Sequence, residues 1–364
     1  MDRRAFLKTT GAAAAAATAA GAASAAADER KLADRAEVAA PAVATGLREL
    51  RLAMAWPDSV AGPADQAHRL AQRIAALSGG RYRIVVVPGA DNGLASVRAG
   101  EADLYYGSEH DHLDQHRALA YFAGLPGERG IAARHLTAWM LVGGGQSLWD
   151  ELAGDFGIKA MLAGHSGDQS RFLATRRVEA MSALAGEKVS VTGLARDVVR
   201  GFGLEPVTVA AADLAGAMAS GGILAAEWGG ALTSHSLGLT AAAPYAVGAS
   251  INRHGSALSL GMRRTAWDRL GSADQAIFSA AAEAELQLAL AEDEAHRRLL
   301  APQASADRTW PLAHELHRSI CRVADAVVAQ VAASDGHAQR INAGYTAFRR
   351  LMLGDDAVES VPTA

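Results

Sequence analysis

Apolar and polar positions alternate along "LRLAMAW", with Leu50, Leu52 and Met54 set against Arg51, and that period of two predicts a strand which Pro57 ends. Pro63 then opens a helix in which Ala67, Leu70, Ile74 and Leu77 recur at helical spacing, closed by Gly79 and Gly80. "YRIVVV" supplies the next strand, and strand, helix, strand with a connection of this length reads as a parallel pair in an α/β sheet. The pattern returns as a strand over 189–191, a short helix from about Ala195, a strand over 206–209 and a helix over 213–220. From Thr265 the chain turns strongly helical. Ser272 and Gln275 are spaced as a capping box before a run to about Leu300, and another long helix follows from about 311 to 334. Two α/β units joined through long helices predict two lobes around a central cleft, the usual seat of a small ligand. The expected division is 47–166 with about 246–275 as lobe I, and 167–245 with about 276–364, including the C-terminal helices, as lobe II.

Charge removes one class of partner. A formal net charge of −4 and a pI near 6.3 argue against a nucleic-acid partner, which would want a basic face. The N-terminus adds a destination. "MDRRAFLKTT" places Arg3 and Arg4 before Phe6, Leu7 and Lys8, and an alanine-rich stretch leads to a small-x-small cleavage site after about Ala27. That reads as a twin-arginine signal over 1–27, too weakly apolar to span a membrane, followed by a linker over 28–46. The twin-arginine export machinery and a periplasmic location are therefore expected. Cys321 is the only cysteine, so no intramolecular disulfide forms; its apolar-periodic run "SICRVADAVVAQV" leads to the expectation that it sits in a core.

Four segments carry a resemblance. "SGGRYRIVVVPGA", "GGGQSLWDELAGDFGIKAMLAGHSGDQ", "LAGEKVSVTG" and "GGILAAEWGGALTSHSLGL" fall in the order found in solute-binding proteins of tripartite ATP-independent periplasmic (TRAP) transporters, in the 2-oxo acid or mannitol/chloroaromatic branch, which this chain resembles over about Leu47 to Leu300. The resemblance implies a two-lobed, periplasmic-binding-protein-like α/β fold without catalytic machinery, and TRAP membrane permease subunits as partners. It further implies that a ligand carboxylate is held by an arginine on the strand matching "EKVSV", by a glutamine matched by Gln169, and by an acidic-aromatic pair matched by Glu227 and Trp228. A bound cation, sodium or calcium, is implied with Glu227 as its ligand, because a glutamate in an anion pocket repels its ligand unless a cation sits between them.

Three positions depart from that pattern. Ser190 stands at the arginine position, Ser259 at a second cation-binding carboxylate, and His110 with Asp111 at a tyrosine pair facing the cleft. Losing a charge-assisted anchor costs roughly 1.5–3 kcal/mol. Arg171 is one candidate replacement, since a residue two positions beyond Gln169 on a strand projects from the same face; His165 is near enough in sequence to contribute, though a loop role is expected for it. The altered pocket leaves two ligand chemistries open: a divalent cation held by His110, Asp111 and Glu227 that bridges to an anion, or a neutral or cationic solute, which the two carboxylates favour.

"SEHDHLDQH" poses a rival from another class. His110, His112 and Asp114 are in step with a dinuclear zinc hydrolase signature, but His116 falls one residue late and no later strand reads as supplying further ligands. "HELH" at 314–317 lacks the two-residue gap of a zinc-protease helix, and an exposed polar loop is the expected setting of His112 and His116. "LVGGGQSL" has Leu148 where a dinucleotide loop needs its last glycine, so nucleotide binding is not expected. The readings in order are a TRAP solute receptor for a small polar solute, an organic acid or a relative; a periplasmic metal-dependent hydrolase using His110, His112 and Asp114; and a degenerate binding-protein scaffold.

Overall fold

The computed structural model describes residues 46–354 except 91, 169–171, 248–249, 301–309 and 311–312, so the expected signal and nearly all of the expected linker lie outside the described residues, as do Gln169 and Arg171. From Arg48 onward the chain forms one compact unit. Its first part runs β1 (Arg48–Met54), α1 (Pro63–Leu77), β2 (Tyr82–Val87), α2 (Gly93–Ala99), β3 (Leu104–Gly107), α3 (Ala133–Leu141), α4 (Gly145–Asp155) and β4 (Ile158–His165). The second runs β5 (Phe172–Ala174), β6 (Lys188–Ser190), α5 (Ala195–Arg200), β7 (Glu205–Val207), α6 (Leu214–Ala219), β8 (Ala225–Ala226), α7 (Ala231–Ser236) and β9 (Tyr245–Val247). β10 (Ala257–Arg263), α8 (Ser272–Leu299), α9 (Ala313–Ala332) and α10 (Gly336–Leu353) complete the described chain.

Among the described residues, two five-stranded sheets repeat one plan. The first has the order β2-β1-β3-β10-β4, with β1 parallel to β2 and β3, and β10 antiparallel between β3 and β4. The second has the order β7-β6-β8-β5-β9, with β6 parallel to β7 and β8, and β5 antiparallel between β8 and β9. In each sheet the antiparallel strand arrives from the other one: β5 follows β4, and β10 follows β9. The two crossings touch. Ser166 donates its N–H to the Ser256 carbonyl at 2.8 Å, and the Ser256 N–H returns to Ser166 Oγ at 2.8 Å. Gly255 has φ +66°, and a β-carbon there would overlap the Gly167 carbonyl, so the close approach needs glycine.

Local rules explain α1. Pro63 occupies its first turn, where a missing N–H costs nothing, and Asp65 accepts the Gly62 N–H at 2.8 Å. Ala67, Leu70 and Ile74 are fully buried against the first sheet, together with Leu52, Met54, Tyr106 and Leu260. α8 closes the same core with Phe278, Ala281 and Ala282 and is locked to α1 by ions: Glu285, fully buried, accepts from Arg69 Nη2 at 2.7 Å and from Arg73 Nη2 at 3.4 Å. The other large core runs continuously through both lobes, with Phe122 stacked on Trp139 and Trp149 at centroid distances of 5.6 and 5.2 Å.

Two expectations change. α8 packs on β4 and α1, and α10 on α3 and α4, so much of the segment expected with lobe II lies on the first lobe; α9 joins the lobes, touching α5 and the turn Gly127–Arg129. The cause is the covering of the first sheet, whose face at Leu52 and Met54 needs apolar cover that α1 alone does not give. The capping box is absent: Gly271 is the N-cap of α8, Ser272 is already helical, and Gln275 Nε2 donates to the Trp267 carbonyl at 3.0 Å.

Candidate functional site

A cleft of about 450 Å³ lies between the sheets, within the range of roughly 300–1,000 Å³ that small-molecule sites occupy. Its walls are the residues that follow parallel strands at their carboxyl ends: Trp56 after β1, Ser108, His110 and Asp111 after β3, Thr192 after β6, Thr208 after β7 and Trp228 after β8. Ser166 and Ser256 add hydroxyls where the chain passes between the sheets.

His110 is held deliberately. Ser108 caps the short 3-10 turn Glu109–His112 by accepting the His110 N–H at 3.2 Å, and Ser108 Oγ lies 2.6 Å from Ser256 Oγ. The ring is buried, and neither of its nitrogens has a hydrogen-bond partner among the described residues. Burial pushes its pKa down to about 4, so at neutral pH it is an uncharged imidazole offering one donor and one acceptor. Gly193, with φ +60°, lies against the imidazole; a β-carbon there would overlap the ring. Asp111 is open to the cleft, and desolvation by the surrounding walls raises its carboxyl, His112 pulling less strongly the other way. Among the described lining residues Asp111 is the one carboxylate, and none is lysine or arginine.

Three of the expected contacts therefore line the cleft: His110, Asp111 and Trp228. Glu227, Ser190 and Ser259 do not; they are buried behind its wall, at 1 %, 5 % and 0 % exposure. Glu227 instead accepts the N–H groups of Ile251, at 2.8 Å, and Asn252, while its own N–H donates to the Ser190 carbonyl at 3.0 Å. It thus ties the end of β8 to the chain entering β10. Burial pushes its carboxyl up to about 7, against the pull of those two amides. His165, expected in a loop, ends β4, buried, with Nδ1 accepting the Gly167 N–H at 3.1 Å.

The residues of the hydrolase reading do not converge. His112 is buried edge-on to Tyr105 at 5.2 Å, and Asp114 is exposed beside Gln115. His116 caps the next turn through Nδ1 to the Ala118 N–H at 3.2 Å and pairs with Asp335 at 3.0 Å. The exposed-loop setting expected for His112 and His116 is thus corrected: Leu119, Tyr121 and Phe122 draw the following segment into the core and carry both histidines inward. Sequence reasoning passed over Trp56, Thr192, Thr208 and Ser256, although each stands next to a strand end, the signal that marks them.

Comparison with known proteins agrees with this geometry. Residues 64–304 match the model of the bacterial extracellular solute-binding proteins, family 7. A monocarboxylate 2-oxoacid-binding periplasmic protein of Nostoc sp. is 28 % identical over 322 residues, covering 85 % of this chain and 86 % of its own. A TRAP transporter solute-binding protein from Bordetella bronchiseptica, solved with calcium and picolinate, has a TM-score of 0.77 at 23 % identity, over 86 % of this chain and 95 % of its own. One from Pseudoalteromonas atlantica, solved with sodium and pyruvate, has a TM-score of 0.76 at 21 % identity, over 86 % of this chain and 97 % of its own. At such identities the solved structures establish the two-lobed fold, while the family match spans most of the chain. The chain belongs to family 7 of the bacterial extracellular solute-binding proteins, the solute-binding proteins of TRAP transporters.

Proposed function

We propose that this protein captures a small organic acid, or a close relative of one, between its lobes in the periplasm and presents it to the membrane subunits of a TRAP transporter. The cleft carries the reading: its two indoles, Trp56 and Trp228, supply apolar faces, and Ser108, Ser166, Thr192, Thr208, Ser256 and the neutral His110 supply hydrogen bonds. An anion meeting Asp111 with no described basic side chain nearby needs a cation between the two carboxylates. Calcium with picolinate in the Bordetella protein, and sodium with pyruvate in the Pseudoalteromonas one, support that arrangement. His110, Asp111 and Trp228 are proposed as contacts, Glu227 and Ser190 as the brace behind them, and Gln169 and Arg171, outside the described residues, as further candidates. Arg3 and Arg4 support export through the twin-arginine route.

Asp111, in a cleft that two indoles also line, favours a second reading, a neutral or cationic solute held by charge and by the ring faces. Titration calorimetry on mature, chelator-treated protein separates the two. The first reading expects pyruvate or a longer 2-oxo acid to bind when calcium or sodium is restored and to lose at least tenfold in affinity without it. Binding of amines or polyols with no cation requirement replaces it with the second, and binding of none of these solutes leaves the scaffold reading.

A further inference from the structure

Away from the cleft, the turn Gly127–Arg129 rests on α9, and three side chains of different chemistry meet there. His317 Nε2 lies 3.4 Å from Glu128 Oε1 and 3.7 Å from Cys321 Sγ, and the three ligand atoms lie within 4.8 Å of one another. His317 and Cys321 are four residues apart on α9 and so share one face of the helix, one turn apart. With a tetrahedral ion at Zn–S about 2.3 Å and Zn–N or Zn–O about 2.0–2.2 Å, the ligand atoms would be separated by about 3.6 Å for S to N and about 3.4 Å for N to O. The observed separations match both.

The scaffold holds these groups without help from an ion. Tyr345 Oη donates to the Arg129 carbonyl at 2.8 Å and Arg349 Nη2 to the Glu128 carbonyl at 2.6 Å, so α10 fixes the turn from behind. Gly127 sits so close to α9 that a β-carbon would lie 3.0 Å from that of Ala324. Neighbouring cations offer little opposition: Arg129 is committed to Asp325, and Arg253 lies 3.6 Å from Glu128 Oε1 on an exposed pair. We propose that Glu128, His317 and Cys321 form a binding site for zinc or a similarly thiophilic divalent ion, with a fourth position open to water, clamping the Gly127–Arg129 turn to α9. A thiolate and an imidazole select such an ion against sodium or calcium, which take oxygen ligands. The site is therefore separate in both place and chemistry from any cation in the cleft. Binding converts the Cys321 thiol to a thiolate and releases its proton to solvent.

The experiment uses folded, reduced, chelator-treated protein titrated with zinc chloride and followed by native mass spectrometry and calorimetry. One zinc per chain is expected, undisturbed by excess calcium, with affinity at least tenfold weaker in Cys321→Ser and in His317→Ala, and weakened in Glu128→Gln. Cobalt(II) in place of zinc should give a near-ultraviolet thiolate-to-cobalt band that Cys321→Ser abolishes. All three positions are at least partly exposed, so the metal-free melting temperature should stay at the wild-type value and separates lost ligation from lost folding. No stoichiometric uptake of zinc, or uptake that Cys321→Ser and His317→Ala both leave unchanged, overturns the proposal.

Discussion

Replacing Glu227 by glutamine isolates the titration of a carboxyl with almost no water around it. In the folded protein its pKa is raised from 4.5 to about 7 by burial. Between those two values the folded state keeps the proton that the unfolded state has released, so folding stability falls as pH rises through that window and is lowest once both states are ionised. At about 1.36 kcal/mol per pH unit the gap amounts to about 3 kcal/mol. Glutamine has the same length and does not titrate. The stability of the wild type relative to Glu227→Gln should therefore fall by about 3 kcal/mol between pH 4.5 and pH 8. His110 and His165, each pushed down to about 4 by burial, act in the opposite direction over part of this range, but they are present in both proteins and cancel in the difference. Urea unfolding at four or five pH values, read by tryptophan fluorescence and circular dichroism together, gives that difference wherever both probes report one transition. A difference that is flat to within 0.5 kcal/mol, or that grows with pH, would mean that the Ile251 and Asn252 amides outweigh desolvation, and the reasoning would be refuted.

Gly193→Ala forces a β-carbon into the His110 ring at φ +60°, so solute affinity should fall at least tenfold and stability by about 1–3 kcal/mol, as calorimetry and urea melts can show. Arg69→Ala leaves buried Glu285 with only its longer contact to Arg73 and should cost about 3 kcal/mol in a urea melt; a loss below 1 kcal/mol would place that ion pair among those worth little. Lysine at both Arg3 and Arg4 should leave full-length precursor in the cytoplasm while the wild type is processed near Ala27, a contrast that cell fractionation and mass spectrometry will record.

Periodicity found the elements with one wet face. β1, α1 and β2 were readable because Leu52 and Leu70 stand among polar neighbours such as Arg51 and Arg69. β10 was not, because it lies between two strands and under two layers; all of Ala257–Met262 is buried and no alternation survives. The three-residue strands β5 ("FLA") and β9 ("YAV") have no polar position between apolar ones, unlike the "VSV" and "VTV" that marked the equally short β6 and β7, and the exchange of strands between sheets is a fact of tertiary topology. The cleft divides in the same way. Resemblance led to Trp228, His110 and Asp111, but it could not say that Glu227 turns to the Ile251 and Asn252 amides, since those groups arrive some two dozen positions later in the chain. His317 and Cys321 share a helix face that spacing could have flagged. Their third partner, Glu128, comes from a distant turn that only the fold brings near.

The touching crossings at Ser166 and Ser256 also set what kind of movement the molecule has available. A weight hung from one cord swings in every direction and spins. Hung from two cords knotted together side by side, it can still rock, but twisting would shear the knot. With hydrogen bonds running both ways between the crossings, and Gly255 seated against Gly167, a twist would have to break polar pairs in a crowded place, whereas a bend need only tilt them. The paired crossings therefore resist a twist of one sheet against the other more than they resist a rocking of the same two sheets.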